Sequence, residues 1–599
     1  MIRTRSKLLF IFIAGLILLA AAPLRPQTGL PPAPASESLA ERIAFAAYRH
    51  GQWDIYSLRP DGSDLRQITN DRAEDTDPAF SPDGTHLAFA SRRQNNWDIY
   101  LLNLETGQES RLTHSPHYDG APAWSPDGHA LAYESYQSGN LDIWQIAVQP
   151  GSGRRPAVNL TQNAEAGDFA PAFHPDGQSL TFSSWRGGSQ DLYRLNLADG
   201  GLQQLTNSLS AELQPVWSPD GRQLAYVQNA LGTREVFSLD PALPPTADGP
   251  AAQITWLGRT SSPAFSPDGQ TLAALFERWD GTLLVLQDAA GRQRVPVPLG
   301  EVMQGQGRLS WRRALPFGQP AAHLADTEPS PLYQERLKPN EPGMEPYNLI
   351  RQDDLDVGKP WLADPVDDSF QAWRLRLRQE VGYDFLGRLS DAARDVTTYS
   401  DTSQYASWHK SGRAIDTLFD EYLEGWVPAV EIVREDYSGE TFWRMYLRCE
   451  DQSGRCGRPL TFNPWNYSFQ ARTALAPEEG GTEKAIPAGY YVDLTAVARE
   501  YGWERISSYD DVDYSWTWHF LAFEYWHYQK RAENGASKRS LSWYEAMSQV
   551  YPPEVLTANF TWDKMRSLNE DPHLIALKGV PMPPEVRPWW SLVKQGAEE

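Results

Sequence analysis

Cysteine is almost missing from this chain. Only Cys449 and Cys456 occur among 599 residues, flanking a Gln452-Ser453-Gly454 turn. A disulfide-dense scaffold is therefore excluded, and a Cys-pair metal site would need two further ligands nearby, none of which stands out. The pair reads as one local disulfide closing a hairpin. Positive charge is also scarce, with 54 Lys and Arg against 77 Asp and Glu and a net charge of −23. No basic stripe exists to neutralise phosphates, which argues against a nucleic-acid partner; the acidity serves solubility. Long apolar runs are lacking too, apart from the fifteen residues Leu8 to Ala22. They follow the basic Arg3, Arg5 and Lys7 and end in Ala20-Ala21-Ala22, the pattern of a secretory signal over residues 1–25. The run is short for a spanning helix, which needs about 20 residues. An uncleaved anchor is the alternative, and it would be the only link to a membrane. No cysteine follows the run, so a lipoprotein anchor is not expected. The expected location is extracytoplasmic.

What the chain does have is length for two or three domains, 12% aromatic residues, and a repeat. Pro-Asp-Gly recurs with its aspartates at Asp83, Asp127, Asp176, Asp220 and Asp268, at spacings of 44, 49, 44 and 48. Proline presets φ, Asp bonds its own backbone and Gly takes the left-handed position, which makes a tight turn between two short strands. A third strand follows each turn, as in Trp97-Asp98-Ile99-Tyr100, and a fourth lies near Leu112-Thr113 and its equivalents. Four strands per repeat of this length predict β-propeller blades. Five repeats are complete. Ile43-Ala44-Phe45 and Asp54-Ile55-Tyr56 supply later strands of a sixth blade, whose first strand is Arg308 to Trp311. Joining them closes the ring and removes its exposed edges.

This frame resembles the TolB-type propeller family over about residues 43–313, and the propeller is assigned to 40–315. The resemblance implies a docking platform for a protein partner. It implies no catalysis, because the repeat aspartates are turn formers. Residues 316–347 are rich in proline and read as an extended linker.

Residues 348–599 read as an α+β domain. A helix is predicted from Asp367, capped by Asp367 or Asp368, with Phe370, Trp373, Leu377 and Val381 on its apolar face. Arg374, Arg376 and Arg378 would line its solvated face. A second helix is predicted over Leu386 to Arg394, and β structure between Trp426 and Leu460. Tyr491 to Tyr501 reads as a strand running into a helix that ends at Gly502.

Two stretches carry chemistry. His409 and Asp416 lie seven apart with Gly412 between them, and Glu524 and His527 lie three apart. Two imidazoles and one carboxylate make a three-ligand zinc site with an open fourth position, and Glu524 is then left as general base. Taken singly, each residue has a plainer reading: His409 as a surface histidine, Asp416 as the residue before a helix over Thr417 to Leu423, Trp526 as core. His519 is a rival third ligand, but the residue three before it is Trp516, which is no base.

Ser407-x-His409-x-x-Gly412-x-Ala414-x-Asp416 resembles the first zinc motif of D-Ala-D-Ala carboxypeptidases (VanY-like) and hedgehog-type peptidases. Tyr501-Gly502-Trp503-Glu504-Arg505 resembles the turn before that family's last zinc strand, and Glu524-x-Trp526-His527 its closing motif. The resemblance implies Zn2+ held by His409, Asp416 and His527, with Glu524 as catalytic base. Ser407 would help bind the terminal carboxylate of a cell-wall (peptidoglycan-type) or other small peptide. The family also carries an upstream arginine; Val396 to Asp401 has none, leaving Arg388 and Arg394 as alternatives. A long insertion, with the cysteines inside it, separates Asp416 from Tyr501. The alternative to a peptidase is an envelope binding or scaffold protein whose second domain keeps the fold without the catalysis.

Overall fold

A computed structural model describes residues 39–583 except 50–51, 95, 149–155, 163–165, 243–250, 279–280, 289–293, 298–303, 321–331, 339–347, 399–406, 419–429, 438, 469, 473–478, 511–514, 533–539 and 569–571. The signal or anchor over 1–25, most of the linker, the stretch Tyr399 to Asp401 and most of the helix start after Thr417 fall outside the described residues.

Six antiparallel sheets form the propeller, five of four strands and one of five. In the closing blade Gln304–Ala314 pairs with Ala40–Arg49, placing Trp311 opposite Ile43. The two ends of the propeller segment thus share one sheet, as the repeat count predicts. That blade also gains Gln319–Pro320 beside Arg66–Gln67, so β-pairing runs slightly past residue 315.

The repeat chemistry accounts for the blade. In the first turn Ser81 Oγ donates to Asp83 Oδ1 at 2.6 Å, the Thr85 amide donates to the same oxygen at 3.1 Å, and Gly84 sits at φ +70°. The recurring Leu-Thr has a matching role just past the fourth strand. Thr113 Oγ1 accepts the Ile99 amide at 2.9 Å, and Thr69 does the same for Ile55 at 2.9 Å. Each innermost strand carries a bulge residue at positive φ: Asp77, Ala121, Ala170, Gln214, Ser262 and Gly307. A proline follows the first five, fitting a bulge where no ladder donor is needed. In the closing blade Arg308 takes that place. Its amide donates to Asp77 Oδ1 at 3.1 Å, and its guanidinium donates to the Ala121 and Pro171 carbonyls at 3.1 and 2.8 Å.

In the C-terminal domain, helix α1 spans Asp364–Val381 and starts with Pro at N1/N2 on a cap without a side-chain bond, so neither Asp367 nor Asp368 caps it. Its apolar face is as predicted, with Phe370, Trp373, Leu377 and Val381 buried. Arg378 is exposed, as predicted, but the other two arginines differ from prediction. Arg374 pairs with Asp384 at 2.6 Å and Asp354 at 2.7 Å, and Arg376 reaches Glu74 of the propeller at 3.4 Å. The helix predicted over Leu386 to Arg394 is a short 3-10 turn, Phe385–Gly387, then a strand, Leu389–Asp391. Strand pairing with Ala414–Thr417 overrides local propensity there.

That strand opens a four-stranded sheet ordered Leu389–Asp391, Ala414–Thr417, His527–Gln529, Glu504–Arg505. A second sheet joins the hairpin Val430–Tyr437 and Glu440–Arg448 to Tyr491–Asp493, which runs into helix α2, Leu494–Glu500. Cys449 and Cys456 form a disulfide with Cα atoms 6.0 Å apart; it closes a loop after the hairpin rather than the hairpin itself. Short helices from Trp543 onward pack as a separate apolar cluster around Trp543, Phe560 and Met565. Part of the expected linker is not loose: Tyr333 stacks on Tyr501 at 6.0 Å, and the buried Lys530 reaches Glu335 at 3.3 Å. Among the described residues, no helix is long and apolar enough to cross a membrane.

One apolar core runs through both domains, from Trp97, Tyr118 and Tyr133 of the propeller to Trp373, Trp443 and Trp465. Burial also pushes the carboxyls of Asp75 and Asp119 up to about 7. A raised acid pKa means the folded state binds protons that the unfolded chain, at about 3.9, has released. Stability contributed by these groups is therefore complete at acid pH and is lost between about pH 4 and 7. Denaturant unfolding should show a higher midpoint at pH 5 than at pH 8, and Asp119→Asn should flatten that difference.

Candidate metal centre

Antiparallel register sets the first two groups. Asp416 lies directly opposite His527, and Asp416 Oδ1 stands 2.7 Å from His527 Nδ1. His409 arrives from a 3-10 turn, Trp408–Ser411, which Gly412 ends at φ +67°. A Cβ on Gly412 would lie 2.6 Å from Leu349 Cδ2 and 2.7 Å from the Ala363 amide nitrogen. Glycine is thus required both by its dihedral and by close packing. The reversal brings His409 Nε2 to 3.2 Å from Asp416 Oδ1. Donor atoms of His409, Asp416 and His527 all lie within 4.8 Å of one another, and all three residues are buried.

The donor set fits a divalent cation. His409 Nδ1 is 2.9 Å from the Ala392 carbonyl, to which it donates, so the lone pair of the neutral ring is on Nε2. Among the described residues that buried Nε2 has no hydrogen-bond partner, and it faces a carboxylate oxygen at 3.2 Å. Two acceptors at such a separation need a proton or a cation between them. Burial pushes the His409 pKa down, but the Asp416 charge outweighs this and raises it. Burial acts upward on Asp416, yet the flanking His409 and His527 hold its carboxyl well below the usual range.

Glu524 is buried and adopts φ +58°, a conformation uncommon for a residue with a side chain and frequent at functional sites. Burial pushes its carboxyl up to about 8, with His527 pulling down and Asp416 adding to the rise. Trp526 packs against Phe520 and Tyr525 with ring centroids 5.4 and 4.8 Å away. Its carbonyl accepts the Thr417 amide at 3.0 Å. His519 is not in the cluster.

The sequence left the arginine open; the fold brings Arg394 to the cluster. Its Nη2 is 3.6 Å from Asp416 Oδ2, its Nη1 donates to Ser407 Oγ at 3.3 Å, and its Nε bonds Asp391. Arg388 pairs instead with Asp356 at 3.2 Å. Ser407 is buried, caps the 3-10 turn and accepts the Trp543 indole N–H on its carbonyl at 3.0 Å. A second carboxylate group, Glu335, Asp367 and Asp368, was not foreseen. It shares its charge with Lys530 and Lys338 at 3.3 and 3.5 Å.

The TolB beta propeller domain (PD40) family matches residues 78–167 and 157–295, all inside the propeller. Among solved structures, TolB from Acinetobacter baumannii is 25% identical, with a TM-score of 0.40, over 47% of this chain and 68% of its own. A putative TolB from Agrobacterium tumefaciens is 20% identical, with a TM-score of 0.35, over 45% of this chain and 92% of its own. A Mycobacterium tuberculosis puromycin-hydrolyzing peptidase is 18% identical, with a TM-score of 0.32, over 43% and 44%. No curated protein matches the chain. The first domain is therefore a TolB-like propeller.

Gly412→Ala should lower stability by about 1–3 kcal/mol, the usual cost of a forced backbone conformation. Chemical denaturation checks this, and a Gly358→Ala control, where a Cβ meets nothing within 4 Å, should be near neutral.

Proposed function

We propose that this chain is an extracytoplasmic, envelope-associated zinc peptidase of the D-Ala-D-Ala carboxypeptidase type. It acts on cell-wall or related small peptides while its TolB-like propeller engages a protein partner. The carrying observation is the buried triad of His409, Asp416 and His527, with His409 Nε2, without a hydrogen-bond partner among the described residues, 3.2 Å from Asp416 Oδ1. The ordered motifs around those residues support it.

His409, Asp416 and His527 would hold the ion. When bound, zinc supplies Lewis-acid polarisation at neutral pH. The chain's own groups do the rest. Ala392 fixes the His409 tautomer through its carbonyl. Glu524, in its ionised form, would take a proton from the attacking water and deliver it to the leaving amine. Arg394, held by Asp391 and Ser407, offers a guanidinium fork to the substrate's terminal carboxylate. Ser407 thus acts by positioning Arg394 as well as by any direct contact.

Elemental analysis of purified protein should find about one zinc per chain, lost in His409→Ala and in His527→Ala. Glu524→Gln should keep the metal and lose activity on D-Ala-ended peptides by about 10²–10⁴-fold. Arg394→Ala should raise KM by about tenfold or more. Absence of zinc from wild type after refilling would refute the enzyme and leave an envelope binding protein built on the propeller.

A further inference from the structure

Three consecutive blades carry the same hairpin between their second and third strands. It runs from Ser91 through Arg93 to Asp98, from Ser135 through Gln137 to Asp142, and from Ser184 through Arg186 to Asp191, with identical spacing. In the outer two of these blades the arginine neutralises a buried acid. Arg93 pairs with Asp75 at 3.2 Å, and Arg186 with both oxygens of Asp168 at 2.7 and 2.9 Å. Each guanidinium also lies over two facing rings of its own blade. Arg93 is 5.3 Å from Phe89 and 5.0 Å from Tyr100, and Arg186 is 5.1 Å from Phe182 and from Tyr193. The two arginines are 17% and 19% exposed, so this slot opens to solvent although its carboxylate does not.

The middle blade keeps the carboxylate and the ring pair but not the cation. Asp119 lies opposite Ser135, as Asp75 lies opposite Ser91 and Asp168 opposite Ser184. Tyr133 faces Trp144, as Phe89 faces Tyr100 and Phe182 faces Tyr193. Gln137 stands where the arginine would; it is neutral and exposed, and its amide donates to Ser135 Oγ at 3.1 Å. Asp119 is fully buried, and among the described residues neither of its oxygens has a hydrogen-bond partner. The groups around it, Ser135, Thr113, Gln137 and Tyr133, are neutral. Asp98 adds like charge and is itself paired with Arg111 at 2.7 Å.

A buried carboxylate without a cationic partner is unfavourable, and a cation in the slot removes that cost. The sister blades show which cation the slot suits. A guanidinium sets its fork on the carboxylate and its flat face on the rings, a match that a compact ammonium does not make.

We propose that the slot formed by Asp119, Tyr133 and Trp144 binds a guanidinium group of another molecule, an arginine side chain of a protein partner or a small guanidino compound. The site does not depend on the zinc reading.

The test is calorimetric titration of the full chain at pH 8, above the value of about 7 to which burial raises the Asp119 carboxyl. The probes are methylguanidinium chloride and a blocked Gly-Arg-Gly peptide, each against sodium chloride at equal ionic strength. Saturable one-to-one binding of at least one probe is expected. Tighter binding of the peptide would identify a protein partner's arginine, and tighter binding of methylguanidinium a small guanidino ligand. Asp119→Asn should abolish binding. Gln137→Arg should abolish it too, because the chain then fills its own slot, and should raise the thermal midpoint at pH 8. The second variant keeps the test decisive if the first does not fold. No saturable binding beyond the chloride control would overturn the proposal, as would binding that survives Gln137→Arg.

Discussion

The antiparallel pairing of Ala414–Thr417 with His527–Gln529 fixes more of this molecule than any other contact. It sets Asp416 beside His527, 111 positions later in sequence. Because side chains alternate across a strand, it also divides the sheet into two faces with opposite electrostatics. One face carries Asp416 and His527. The other carries Tyr528, and beside it Arg505 from the edge strand. A slip of one residue would exchange the two sets, so the candidate metal centre and the arginine cluster around Glu435 depend on a single register.

Charge on the two faces is settled by different means. Asp416 is compensated by imidazoles, weak bases whose charge adapts. Glu435 and Glu277 are compensated by guanidiniums, which stay charged under all ordinary conditions. Arg394 belongs to the first face and bridges Asp391 and Asp416, two acids placed opposite each other by strand pairing. Like charges in that position are destabilising without a cation between them, which explains the placement of this arginine on packing grounds as well as chemical ones.

The propeller was legible because its signal is local and repeated. Ser-Pro-Asp-Gly makes its turn from its own hydroxyl, carboxylate and glycine, and Leu-Thr caps an amide one strand away. Within the second domain, α1 was legible from its apolar spacing, though not its start, where no side-chain cap operates. The strand Leu389–Asp391 was misread as helix because its identity comes from a partner more than 20 residues on. Arg376 was assigned to solvent because, beyond Glu380 on its own helix, the acid it reaches is Glu74 in another domain. The bulge ring was missed although a proline after each of five bulge residues marks it. His409, Asp416, Glu524 and His527 were legible as motifs; that Arg394 rather than Arg388 joins them was not, since strand register alone decides it.

The same long-range contacts bear on how the two domains work together. Tyr490 takes the Tyr118 amide on its hydroxyl at 3.2 Å, and Arg458 lies over the Trp97 ring at 3.7 Å. Glu435 of the C-terminal domain is held by Arg234 and Arg259 of the propeller. A domain tethered only by a linker would leave such groups exposed, and ordinary inter-domain contacts are looser and more polar than a shared core. Here aromatic burial and ion pairs act on the same interface. The propeller is therefore part of the foundation of the second domain, and the sheet that carries Asp416 and His527 rests on it through its other face.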